Sequence, residues 1–129
     1  AHIKTLLSYL NFFIREHRRQ AGINNLMYSL LELIDRHYQR EHDVAFYAAC
    51  LSLGKKRLNV LSTEAFGQTV KQLIRRRLLL QAKRMIGTGH STFKEIASEL
   101  GFVDAAYFSR FFRQGEGMTP EQIRRSLTK

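Results

Sequence analysis

The sequence predicts an all-α fold, on three observations. Apolar residues recur three and four apart in one segment after another. No stretch alternates apolar and polar residues with the period of two that marks a strand. A pair of short apolar-faced segments, joined at a small turn residue, occurs twice along the chain. The expected architecture is two helix-turn-helix subdomains joined by a long connecting helix, with a further helix at the N-terminus.

Residues 3–14 set Ile3, Leu6, Leu7, Leu10, Phe13 and Ile14 on one stripe, which predicts a first helix. A basic run (Arg15, His17, Arg18, Arg19) follows, and Ala21-Gly22-Ile23-Asn24-Asn25 breaks the pattern as a linker would. Leu26, Leu30, Leu31 and Ile34 open a second helix, expected to end near Glu41-His42-Asp43. A short third helix is expected over about Val44–Leu51. After Leu53-Gly54, a fourth helix begins at Lys55 with Leu58, Leu61 and Ala65 inward, and Phe66-Gly67 closes it. A longer helix over about Thr69–Ile86 carries Val70, Leu73, Ile74, Leu80 and Ile86 among its apolar positions, and Gly87-Thr88-Gly89-His90 is expected to be a flexible break. Thr119-Pro120 opens the last helix, an N-cap followed by Pro at the first helical position.

The most informative stretch is FKEIASELGFVDAAYFSRFF, residues 93–112. Thr92 and Glu95 have capping-box spacing, so hydroxyl and carboxylate can each bond the other's backbone N–H. Phe93, Ile96, Ala97 and Leu100 then share a face, and Gly101 can take the positive φ that turns the chain sharply. Asp104 is a good N-cap for a second helix. In that helix Phe108, Phe111 and Phe112 point one way, while Ala106, Arg110 and Arg113 point another. Two short helices around a tight turn, with a basic outer face on the second, describe a helix-turn-helix. Ala48-Ala49-Cys50-Leu51-Ser52 repeats Ala97-Ser98-Glu99-Leu100-Gly101 at a separation of 49, whereas Leu58 and Phe108 are 50 apart. The second turn is therefore one residue longer. The second helix of the first copy would expose Lys55, Lys56 and Asn59.

Charge agrees with that reading. The chain carries 21 Lys or Arg against 11 Asp or Glu, a formal net of +10. Between Val44 and Lys94 there are ten Lys or Arg and one acid, Glu64. Such a balance suits a polyanion. Arg75-Arg76-Arg77 lies on the connecting helix, where it could meet phosphates or simply be a solvated face. The single cysteine leaves no intrachain disulfide framework, and no apolar run has the roughly 18–20 residues of a membrane span. The chain begins with Ala rather than Met, as a processed chain or an excised piece of a longer protein would, and the piece is the favoured expectation.

With these residues in view, the chain resembles the AraC/XylS family of bacterial transcription regulators, over roughly residues 28–129. Ile96, Ala97, Leu100, Gly101, Phe102, Tyr107, Phe108, Arg110, Phe112, Gly117, Met118, Thr119 and Pro120 fit the family's C-terminal signature. The resemblance implies a homeodomain-like pair of helix-turn-helix units, the first at about 44–64, the connecting helix at about 69–86 and the second at about 92–114. It implies a transcription regulator that sets two recognition helices into successive major-groove segments of double-stranded promoter DNA, without cofactor, metal or catalysis. On this analogy Lys55, Lys56 and Asn59 would reach bases from the first unit, and Ala105, Ala106, Tyr107 and Arg110 from the second. Arg57, Arg75, Arg76 and Arg113 would meet the backbone. Three positions depart from the pattern: Gly54 stands where Ser or Thr commonly caps the reading helix, Val60 where a basic residue is frequent, and Ser62 where an aromatic is common. The side chains of Ala105 and Ala106 offer only apolar contact to a thymine methyl. The second unit is thus expected to position the protein, with Arg110 its best polar reader, and the first to discriminate.

Residues 1–27 lie outside the signature. By resemblance they are the end of a sensor or dimerisation domain, implying a homodimer through 1–27; a helix packed on this chain or on another domain fits equally, and an interfacial membrane helix is a third reading. RNA polymerase is an implied partner if the protein activates, and a bacterial cytoplasmic, nucleoid-associated location is implied. Cys50 is expected to be a small buried residue, and His37 and His42, five apart, to be solvent-exposed rather than metal ligands. The three phenylalanines are expected in the core rather than stacked on bases. No nucleophile–base pair or phosphate-cradling glycine loop is evident, so an enzyme reading has no residues to carry it. The competing class is a basic helical module that binds RNA or another anionic partner by charge alone.

Overall fold

A computed structural model describes residues 2–127, and among these all regular structure is helical. In chain order the helices are α1 (His2–His37), α2 (Val44–Cys50), α3 (Lys55–Phe66), α4 (Val70–Thr88), α5 (Phe93–Glu99), α6 (Ala105–Glu116) and α7 (Pro120–Leu127).

The largest departure from expectation is α1. The linker expected at 21–25 is helical, and the boundary drawn at 27/28 falls inside one 36-residue helix. At 1.5 Å per residue this rod is about 54 Å long. Gly22 and the two asparagines each cost a helix only about 1 kcal/mol or less. Against that, Gln20 Nε2 donates to Asn24 Oδ1 across the expected break at 3.1 Å. Met27, Leu30 and Ile34 bury the far half in the core, and Tyr38, just beyond its end, joins them. Packing overrides local propensity there. The helix also ends earlier than expected, at His37.

The two repeats share one backbone plan. Leu53 N donates to Ala48 O at 2.9 Å, and Phe102 N donates to Ala97 O at 2.8 Å. The turn residues Ser52 and Gly101 both have positive φ, 55° and 81°. Ala48 and Ala97 are buried where the paired helices cross, as the small side chains require. Each repeat ends on a left-handed glycine, Gly67 and Gly117, then a capping Thr. Thr69 with Gln72, and Thr119 with Gln122, form matching reciprocal caps on α4 and α7. The duplication thus continues to the start of the helix after each unit. The capping box at Thr92 and Glu95 and the Asp104 cap form as expected, with Asp104 Oδ1 accepting from Tyr107 N at 2.7 Å.

One core holds both units together. Leu58 and Leu61 from α3, Ile74, Leu78, Ala82 and Ile86 from α4, and Phe108, Phe111 and Phe112 from α6 are all buried in it. Phe102 is its aromatic hub, with ring centroids 5.4 Å from Phe108 and 4.9 Å from Phe111. Tyr47 is fully buried and donates its hydroxyl to Glu41 O at 2.7 Å. Burial, with the Glu41 carboxylate and Cys50 adding to it, pushes that phenol far above its usual range.

Several smaller expectations are corrected. Cys50 is exposed, because it falls on the outer side of two-turn α2 while Tyr47 and Ala48 take the inner side. Leu80 is exposed, lying off the stripe centred on Ile74, and Ala65, although on the same stripe as Leu58, is exposed at the last turn of α3. Gly87 and Thr88 complete α4, and Gly89, at φ 70°, is its left-handed cap rather than part of a loose break. His37 and His42 are half-buried, His37 edge-on to Phe46 at 4.9 Å.

Candidate nucleic-acid interface

Burying Leu58, Leu61 and Ser62 fixes which side of α3 faces out. A helix turns 100° per residue, so Lys56, Val60 and Thr63 lie opposite that inner stripe, with Arg57 and Asn59 on its flanks. Lys55, Lys56 and Arg57 are exposed at the first turn, and Val60 is exposed beside them. Lys56, Asn59, Val60, Thr63 and Glu64 line a shallow depression of about 650 Å³ on this face. In α6 the inner stripe is Phe108, Phe111 and Phe112, so Ala106, Arg110 and Arg113 take the outer positions. All three are exposed, as is Tyr107, whose ring lies 5.8 Å from the Arg110 guanidinium. Ala105 is half-buried.

Three residues expected at the interface have partners inside the protein. Asn59 is half-buried, and its Oδ1 accepts from Val70 N at 3.1 Å. That bond satisfies one of the orphan N–H groups at the start of α4 and turns the oxygen inward, so that the carboxamide NH2 is the group better placed for another partner. Arg75 is half-buried, donating to Gln114 Oε1 at 3.2 Å with its guanidinium 5.0 Å from the Phe111 ring. Tyr107 is shared between Arg110 and the Phe102 ring, 5.9 Å away. Of the arginine triplet, Arg76 is exposed, while Arg77 is drawn in by Asp35 at 3.0 Å and the Tyr38 ring at 4.2 Å.

Two surface features were not picked out from the sequence. Val103, 84% exposed, is the extra residue of the second turn, directly before the Asp104 cap. The shift of the repeat separation from 49 to 50 was the signal that an unpaired residue stands there. Thr63 shares the outer face of α3 with Lys56, which the inward periodicity of Leu58 and Leu61 already implied. Among the described residues no group of His, Cys, Asp and Glu is arranged to hold a metal ion, and no helix is long and apolar enough to cross a membrane.

The N-terminal part of α1 contrasts with all of this. Residues 3–14 are exposed throughout, with Ile3 at 72% and Phe13 at 70%. Among the described residues, the large apolar side chains of this half-rod are exposed rather than buried in the core.

Comparison with known proteins agrees with this geometry. A family described as "Helix-turn-helix domain" matches residues 47–126. The HTH-type transcriptional activator RhaR of Cronobacter sakazakii is 26% identical over 127 residues, which are 91% of this chain and 44% of that protein. The regulatory protein SoxS of Salmonella typhimurium is 30% identical over 102 residues, 79% of this chain and 95% of that one. The chain therefore spans less than half the length of the RhaR relative, but nearly all of SoxS. Among solved structures, the C-terminal domain of the response regulator yesN from Fusobacterium nucleatum superposes with a TM-score of 0.73 at 24% identity, covering 78% of this chain and 98% of that one. The DNA-binding domain of AdpA, solved in complex with a target DNA, gives 0.66 at 22% identity, covering 81% and 90%.

Proposed function

Because the chain belongs to the AraC/XylS family of transcription regulators, we propose that it is the part of such a regulator that docks on promoter DNA, entering two successive major-groove segments with α3 and α6. The observation that carries this reading is the pair of repeated units in one core, each turning a solvent-exposed basic helix face outward. Groove segments on one side of a duplex recur every 10–10.5 base pairs, roughly 34–36 Å.

Lys55 and Lys56 are the base readers of the first unit, suited to guanine O6 and N7, where a bidentate contact discriminates by about 1–3 kcal/mol. Asn59 contributes one hydrogen bond from its NH2, since its oxygen serves Val70. In the second unit Arg110 reads, and Ala105, Ala106 and Tyr107 shape an apolar approach to thymine methyls. Arg57, Arg76 and Arg113 meet phosphates. Arg75 has a double role, on the backbone and in holding α6 through Gln114 and Phe111. The exposed stripe of residues 3–14 supports a homodimer contact, and RNA polymerase is the further partner if the protein activates. A location in the bacterial cytoplasm, on the nucleoid, follows from the same role.

The test is competition between a selected site and random duplex. After selection of bound fragments from a random pool, the preferred site should outcompete random DNA by ~10³ or more. A preference within a few-fold would instead make the chain a charge-only binder of RNA or other polyanions. Asn59→Ala separates its two roles: altered ranking of sites means base reading, whereas a uniform loss of affinity with lower thermal stability means that it only caps α4.

A further inference from the structure

We propose that His42 is a positioning residue that locks the angle between the two helix-turn-helix units, so that the protein demands one fixed spacing between its two groove segments. The consequence for spacing rests on the DNA-docking role proposed above; the lock itself does not.

His42 stands in the connection between α1 and α2, on the first unit. Its Nε2 lies 2.9 Å from the Leu100 carbonyl, 58 residues away at the turn of the second unit. A carbonyl only accepts, so Nε2 carries the hydrogen. Leu100 O is one of the orphan carbonyls at the end of α5, and a histidine donor is a fitting cap for it. The imidazole also lies 5.3 Å from the Phe102 ring, the hub of the second unit's core. Beside it, Gly101 approaches the same connection so closely that a Cβ there would overlap the Gln39 carbonyl. Two consecutive residues of the second turn are therefore seated on residues 39–42.

The second unit is held from another side by α4. Lys83 pairs with Glu116 at 3.2 Å, and Arg75 bonds Gln114 at 3.2 Å. Both pairs are solvent-accessible, and such contacts are individually weak. The stronger hold is the shared core, in which the buried faces of α4 and α6 meet; because α4 carries it, rotation about the α4 axis is the motion it restrains least. The His42 contact lies at the opposite end of the second unit, on the α5–α6 turn, and removes that freedom. A rigid pair of probes tolerates one spacing, while a rocking pair accommodates several.

Two measurements on the full chain test this. The first needs no DNA: spin labels on native Cys50 and on Cys introduced by Lys94→Cys, both exposed positions in different units, report the distance distribution between the units. It should be narrow in the parent chain, broader in His42→Ala and His42→Leu, and narrow again in His42→Gln, which retains a donor. An unchanged width in folded His42→Leu overturns the lock, and this holds whether or not DNA is bound. The second compares the selected site with the same site carrying one inserted base pair between its groove segments. The parent should lose ~30-fold or more on insertion, and His42→Leu should reduce that penalty about tenfold, as expected for a lost internal hydrogen bond. Equal penalties in parent and His42→Leu overturn the spacing claim. If selection yields no preferred site, the DNA role fails while the label distances still decide the lock.

Discussion

The two helix-turn-helix units are built on one backbone plan but are stabilised by different chemistry. The second has a four-phenylalanine core of Phe102, Phe108, Phe111 and Phe112, a side-chain cap at Asp104 and a glycine at its turn. The first has aliphatic Leu58 and Leu61, buried Ser62 bonded to Gln68 O at 2.7 Å, Gly54 capping without a side chain, and Ser52 held at φ 55°. Their outer faces differ in the converse sense. Lys55, Lys56, Arg57 and Asn59 crowd the first turns of α3, whereas α6 opens with Ala105, Ala106 and Tyr107. The polar side chains proposed to read bases are concentrated on the unit with the less optimised scaffold. The better-packed unit offers a smoother surface, suited to seating the protein. Duplicated folds can thus carry different outer chemistry on backbones that differ by a single turn residue.

Substitutions at matched positions can break this contrast. The largest effect is expected in the cores: Phe108→Ala should cost about 3–5 kcal/mol and Leu58→Ala about 2–5. Denaturant unfolding would show the ordering, and a larger loss at Leu58 would mean that the first unit, not the second, anchors the fold. Next come the turns. Gly101→Ala should destabilise by about 2 kcal/mol or more, from the left-handed backbone and the overlap with Gln39 O. Ser52→Gly, at the equivalent position, should stabilise by up to ~1 kcal/mol. Opposite signs in thermal unfolding are the expected outcome. The caps are smaller still: Asp104→Ala should lose about 1 kcal/mol, and Gly54→Ser, with open space around the added Cβ, should gain a few tenths. On the DNA side, the logarithm of affinity should fall with the logarithm of salt with a slope of roughly −3 or steeper, and exposed Arg76→Ala should flatten it by about one. An unchanged slope would take Arg76 off the phosphate backbone.

The fold was legible wherever local signals agreed with packing. Thr92, Glu95, Gly101 and Asp104 announced caps and a turn whose chemistry is short-range, and the structure has each of them. The three phenylalanines of α6 followed from period alone. Legibility failed where a long-range contact outweighed a local one. Gly22, Asn24 and Asn25 look like a break, yet the core contacts of Met27 and Leu30 carry the helix through them. The candidate interface was half legible. Period and charge pointed to Lys56, Arg110 and Arg113 as outward-facing. That Asn59 spends its oxygen on Val70, that Arg75 leans on Phe111, and that His42 grips Leu100 are contacts between segments 11, 36 and 58 residues apart. No spacing rule encodes them.

The central claim is that α3 and α6 enter neighbouring grooves on one side of a duplex. Methylation interference at guanine N7, performed on the selected site, reads major-groove contact directly. Two clusters of interfering positions, centred roughly 10–10.5 base pairs apart on one face of the helix, with the stronger cluster lost on Lys56→Ala and the weaker on Arg110→Ala, are the predicted result. A single cluster, or two that respond to neither substitution, would contradict it.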